Sequence, residues 1–180
     1  MRLVILDRDG VINQDSDAYI KSPDEWQPIP GSLEAMARLY QRDFRLVIAS
    51  NQSGVGRGLF NMDMLNRIHN KMLDALHHKG GAVEGIFICP HAPEDRCRCR
   101  KPEAGLLEEI ADRLKVNLSR AYAVGDSLRD LEAARKVHAR PALVRTGKGA
   151  RTIVEGHGIA GVPIFDDLAA FATALLEDRF

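Results

Sequence analysis

LVILDRDGVIN, residues 3–13, is an almost wholly apolar run that ends in two carboxylates, Asp7 and Asp9, followed by a glycine. Four consecutive apolar residues bounded by polar ones read as a strand buried on both faces, the signature of a parallel sheet. Two further runs end the same way. RLVIA (45–49) leads into Ser50-Asn51-Gln52, and AYAV (121–124) leads into Gly125-Asp126-Ser127.

Between these runs lie segments of helical period. Ser32 is placed to cap a helix carrying Leu33, Met36, Ala37 and Tyr40 on one face. Leu65, Ile68, Met72 and Leu76 mark a second helix, and 104–114, 128–137 and 168–176, the last capped by Asp167, mark three more. Residues 83–89, 142–144 and 163–165 complete the strand set. This alternation predicts an α/β fold, a mainly parallel sheet with helices on both faces. The strand order does not follow from the pattern.

The chain has 180 residues, 45% apolar and 28% charged, with 25 acids balanced by 25 bases. That is the length of a single domain spanning 1–180 and argues against a nucleic-acid coat or charge-driven membrane binding. No apolar run approaches the roughly 18 residues of a membrane span, and MRLVILDRDG does not read as a signal peptide. The expectation is a cytoplasmic monomer acting on a small molecule.

Ligands of open parallel sheets sit beyond the carboxyl ends of the strands, so Asp7, Asp9, Ser50 and Asp126 are expected to converge there. At 4 Å and an effective dielectric of ~20, each pair of carboxylates repels by about 4 kcal/mol. A hard divalent cation removes that penalty, and Mg²⁺ shares its carboxylates with phosphate oxygens. Ser50 and Lys101 would add a hydroxyl donor and a fixed cation for a transferring phosphoryl group. Asp126 alone would serve equally as a helix cap. Asp130, one turn further on, could orient the metal ligands or pair with a surface arginine.

All three cysteines fall in CPHAPEDRCRCRKP, residues 89–102. Cys89, His91, Cys97 and Cys99 supply the four sulfur and nitrogen ligands of a closed structural Zn²⁺ site, one that folds a loop and leaves no open position for catalysis. An odd number of cysteines cannot all pair as disulfides. Metal binding there would fix where Arg100 and Lys101 point.

DRDGVIN, Ser50-Asn51-Gln52, Lys101 and GDSLRD together resemble the haloacid dehalogenase (HAD) superfamily, whose Rossmann-like members are mostly Mg²⁺-dependent phosphatases. The resemblance covers about residues 3–145. It implies that Asp7 is the nucleophile forming an aspartyl-phosphate. It makes Asp9 the acid and then the base, and it gives the ion to Asp7, the Asp9 backbone carbonyl and Asp126. SNQSGVGRG (50–58), CPH (89–91) and CRCRKP (97–102) narrow the resemblance to the heptose-bisphosphatase branch. That branch removes the C7 phosphate of a heptose 1,7-bisphosphate during lipopolysaccharide precursor synthesis.

By the same resemblance, substrate contacts would come from Asp15, Tyr19, Asn51, Gln52, Ser53, Arg57, Arg100 and Ser127. Histidinol-phosphate phosphatase, sharing the zinc loop, is the alternative activity, and a non-catalytic zinc-stabilised binding domain is the alternative class. About 43 residues from Asp7 to Ser50 and about 51 from Ser50 to Lys101 leave no room for a large cap domain. Loops at 14–20, 50–57 and 89–100 would then shape the pocket. Arg57 and Lys148 are further possible anchors for a second phosphate, with a solvated side chain and a plain turn as their respective alternatives. His77 and His78 read as solvated.

Overall fold

A computed structural model describes residues 2–179. Six strands, β1 (Arg2–Leu6), β2 (Phe44–Asn51), β3 (Gly85–Cys89), β4 (Tyr122–Gly125), β5 (Arg140–Val144) and β6 (Ile164–Phe165), form one parallel sheet in the order β3-β2-β1-β4-β5-β6. The helices are α1 (Ser32–Tyr40), α2 (Ser53–Gly56), α3 (Met62–His78), α4 (Gly105–Leu114), α5 (Leu128–Lys136), α6 (Gly149–Glu155) and α7 (Leu168–Leu176).

The continuous apolar run of β1 is explained by its two faces. Val4 and Leu6 point into a core with Leu33, Met36, Ile68, Met72, Leu168 and Phe171, from α1, α3 and α7. Leu3 and Ile5 point the other way, against Leu106, Leu107 and Ile110 of α4 and Ala133 and Ala134 of α5. Side chains alternate along a strand, so a sheet covered on both sides needs apolar residues at every position.

The chain steps outward from β1 through β2 to β3, then returns to place β4 on the other side of β1. The strand order therefore reverses between β1 and β4, and a crevice opens beyond their carboxyl ends. Val4, Ile5 and Leu6 lie in register with Tyr122, Ala123 and Val124, and the Asp7 N–H donates to the Val124 carbonyl at 3.0 Å. This register sets Asp7 opposite Gly125, one residue from Asp126 across the switch.

Two local expectations are corrected. Ser32 does not cap α1. It is the first helical residue, Gly31 holds the cap position at φ 83°, and the Ser32 hydroxyl instead donates to the buried Ile12 carbonyl at 2.6 Å. Tyr40 is not on the buried face but exposed. The turn at 145–149 runs on into α6, a helix too short, and with Val154 too exposed, to show an apolar period. Asp167 does cap α7, accepting from the Ala170 N–H at 2.8 Å. Among the described residues no helix is long and apolar enough to cross a membrane.

Candidate active site

One cleft beyond the strand ends is lined by Asp7, Asp9, Asp15, Tyr19, Asn51, Gln52, Ser53, Arg100, Lys101, Asp126 and Asp130, with Arg129 and Lys148. It gathers residues from β1, β2 and β4, from the 14–20 loop and from the cysteine loop. Lys101 is its electrostatic centre. Its Nζ donates to Asp130 Oδ1 at 2.6 Å and to the Ala49 carbonyl at 2.8 Å, and sits 3.2 Å from Asp7 Oδ1. Burial alone would lower its pKa, but Asp130 and Asp7 outweigh that and push it up to about 12.

Asp130, left open by the sequence, has a defined place. Its Oδ1 takes the lysine, and its Oδ2 accepts from the Ser127 hydroxyl at 2.7 Å and the Ser127 N–H at 3.1 Å, capping α5. The Ser127 hydroxyl is thereby engaged by Asp130, and Ser127 is not among the lining residues.

Asn51 acts as a clamp. Its Nδ2 donates to the Lys101 carbonyl and its Oδ1 accepts from the Lys101 N–H, both at 3.0 Å. Gln52 Nε2 donates to Ser50 Oγ at 2.8 Å and to Asp9 Oδ2 at 3.0 Å. Ser50 is buried behind this amide. Arg57 lies outside the lining and faces Glu94 at 3.5 Å. Lys148, beyond the turn, faces inward. Its N–H donates to Asp126 Oδ2 at 2.8 Å and its Nζ pairs with Asp15 at 3.1 Å. Arg129, which no sequence signal singled out, lines the cleft beside Arg100.

Carboxylate oxygens of Asp7, Asp126 and Asp130 lie within 4.8 Å of one another. Burial, only partly offset by the Lys101 charge and reinforced by repulsion from Asp130 and Asp9, pushes Asp7 up to about 6, and burial with repulsion from Asp130 and Asp7 pushes Asp126 up to about 8. Acids that crowd together at such a cost, with oxygen donors only, fit a hard divalent cation such as Mg²⁺. Asp9 differs. Burial pushes it up, but the Arg8 guanidinium and hydrogen bonds from Asn13, Arg8 and Gln52 outweigh this and hold it below the ordinary carboxylate range.

The cysteine loop forms a second cluster. Cys89 Sγ is 3.0 Å from Cys99 Sγ and 3.5 Å from Cys97 Sγ, and His91 Nδ1 is 3.3 Å from Cys99 Sγ and 3.6 Å from Cys89 Sγ. The cysteines are free thiols. At zinc–sulfur bonds of ~2.3 Å, tetrahedral ligands stand roughly 3.7 Å apart, so these four atoms fit a Zn²⁺ ion after a small expansion.

The family model of HAD-hydrolase-like proteins matches residues 98–171. D-glycero-β-D-manno-heptose-1,7-bisphosphate 7-phosphatase of Bordetella bronchiseptica is 54% identical over 178 residues, covering 99% of each chain, and that of Pseudomonas aeruginosa is 52% identical over 97% of this chain and 98% of its own. The crystal structure of D,D-heptose 1,7-bisphosphate phosphatase from B. bronchiseptica, complexed with magnesium and phosphate, superposes with a TM-score of 0.97 at 54% identity over 99% of both chains. The corresponding Burkholderia thailandensis structure gives 0.78 at 43% identity over 98% of this chain and 99% of that one. The crevice at the strand switch, the buried lysine between two aspartates and these likenesses agree: the chain belongs to the D-glycero-D-manno-heptose-1,7-bisphosphate 7-phosphatase family of the HAD superfamily.

Proposed function

We propose that this chain hydrolyses the C7 phosphate of D-glycero-β-D-manno-heptose 1,7-bisphosphate through an aspartyl-phosphate on Asp7. The observation carrying this reading is the meeting of Asp7, Asp126 and Lys101 in the crevice between β1 and β4. Asp7 attacks phosphorus, the bond from phosphorus to the C7 oxygen breaks, and the sugar leaves as an alcohol. Asp9, ionised in the free protein, takes up a proton as the phosphate dianion approaches it, gives that proton to the leaving oxygen, then removes one from the water that frees phosphate from Asp7. Lys101 and the Ser50 hydroxyl supply positive charge and a donor for the phosphoryl oxygens. When bound, Mg²⁺ held by Asp7, the Asp9 carbonyl and Asp126 neutralises the repulsion between carboxylate and phosphate dianion.

Arg100 and Arg129 form no carboxylate ion pair among the described residues, and both line the cleft. Two unpaired guanidinium groups suit a second phosphate better than the cationic far end of histidinol phosphate. Asp15, Tyr19 and Ser53 complete the substrate wall, while Arg57 and Ser127 act from outside it. Zn²⁺ on Cys89, His91, Cys97 and Cys99 holds the loop that carries Arg100 and Lys101. The chain is proposed to act as one domain and one protomer in the cytoplasm, where thiols stay reduced for zinc. Phosphate release with heptose bisphosphate and with histidinol phosphate, each with Mg²⁺ and with EDTA, tests the reading. Higher kcat/KM for the heptose ester and loss in EDTA support it. Preference for histidinol phosphate, or no turnover of either, overturns it.

A further inference from the structure

Arg8 lies between the two aspartates of the first loop, and its side chain is fully buried. Removing a guanidinium from water costs several kcal/mol unless every donor is met. Here the donors converge on one task. Nε and Nη2 donate to Asp9 Oδ1 at 3.0 and 2.9 Å, and Nη1 donates to Nε2 of His69 at 3.2 Å. His69 comes from the buried face of α3, 61 residues away, and must be neutral with an unprotonated Nε2 to accept this bond. Asn13 Nδ2 adds a third donor to the same Asp9 oxygen at 2.9 Å.

Asp9 Oδ1 is thereby saturated. Its other oxygen takes only the Gln52 amide and belongs to the residue lining the cleft. Three donors hold Oδ1 and the Gln52 amide holds the other side, so the carboxyl group is anchored at Oδ1 and Oδ2 is the oxygen left to exchange a proton with the leaving group. Fold stability gives no reason to keep such a pair, since buried ion pairs are often replaced by apolar residues without loss.

We propose that Arg8, seated against the His69 ring, is the positioning residue that aims Asp9 Oδ2 at the leaving oxygen; this rests on the role given to Asp9 above. The proton goes to the alkoxide oxygen as its bond to phosphorus breaks, and Oδ2 takes a proton back from water in the second half-reaction.

The test compares kcat/KM, in Mg²⁺, for the sugar phosphate and for p-nitrophenyl phosphate, whose phenolate departs without a proton. Arg8→Met is expected to lower kcat/KM for the sugar ester about 100-fold, the cost of a misplaced catalytic group, and for the aryl ester by less than about threefold. His69→Leu should show the same split at about tenfold, and His69→Gln, whose amide oxygen can accept from Arg8, should restore the sugar-ester rate. Equal losses on both esters, or none, overturn the proposal, because a merely structural role scales both substrates together. If Arg8→Met does not fold, the His69 pair decides. Asp9→Asn separates the two readings. If it shows no split, the role of Asp9 itself falls. If it does and the Arg8 and His69 variants do not, the positioning role falls alone.

Discussion

His69 makes acid stability of this protein a measurable consequence of the Arg8 contact. Burial first, then the Arg8 charge, lower the imidazole from its ordinary 6.5 to about 4. Its stabilising contribution is fully present above the unfolded value and is lost as pH falls toward the folded one, because the unfolded chain binds the proton first. At about 1.36 kcal/mol per unit, the gap is worth about 3 kcal/mol in all, of which ~2 kcal/mol falls between about pH 7 and pH 5. Replacing His69 with glutamine keeps an acceptor for Arg8 and removes the titration. Urea unfolding of wild type and His69→Gln at both pH values isolates the effect, because the shifts of Asp7 and Asp126, which run in the opposite sense, are common to both proteins. Wild type should lose about 2 kcal/mol more than the variant on acidification. An equal loss in both would mean that the ring is already charged or solvated in the folded protein, and the Arg8–His69 bond would have to be abandoned.

Asp7→Asn should abolish phosphate release while leaving thermal unfolding in EDTA no lower than wild type, since it removes one of the crowded carboxylates; appreciable turnover would mean that another group is the nucleophile. Lys101→Met leaves Asp7 and Asp130 without their shared cation, and steady-state kinetics should record a loss of about 10²–10³ in kcat. A Cβ at Gly147, which sits at φ 57°, would stand 2.2 Å from Asp126 Oδ2 and 2.4 Å from the Gly10 Cα. Gly147→Ala should therefore displace Asp126 and weaken Mg²⁺ activation at least tenfold, read from the metal dependence of kcat/KM. Zinc removal should raise hydrogen exchange across 89–100 and raise KM or lower kcat, whereas full activity in zinc-free, Mg²⁺-supplied protein would contradict the loop's role.

Much of this molecule was written along the chain. The apolar runs ending at Asp7, Ser50 and Gly125 announced strands and the edge where their polar ends would meet, because side-chain alternation and burial on both faces are local properties. The cysteines, spaced within one loop, announced their own cluster for the same reason. What the tertiary structure alone decided involves partners distant in sequence. The reversal between β1 and β4, which brings Asp7 beside Asp126, depends on the path of the crossover connections and leaves no periodic trace. Asp130 proved to be the partner of Lys101, 29 residues away, rather than of a surface arginine. Asn51 proved to hold the lysine's backbone, and Arg8, placed in a polar loop where exposure would be the ordinary expectation, proved to be buried against His69. A side chain's type and spacing state which bonds it can make; only the folded arrangement of strands and helices selects the partner, because the energy of a buried charge depends on what surrounds it in space.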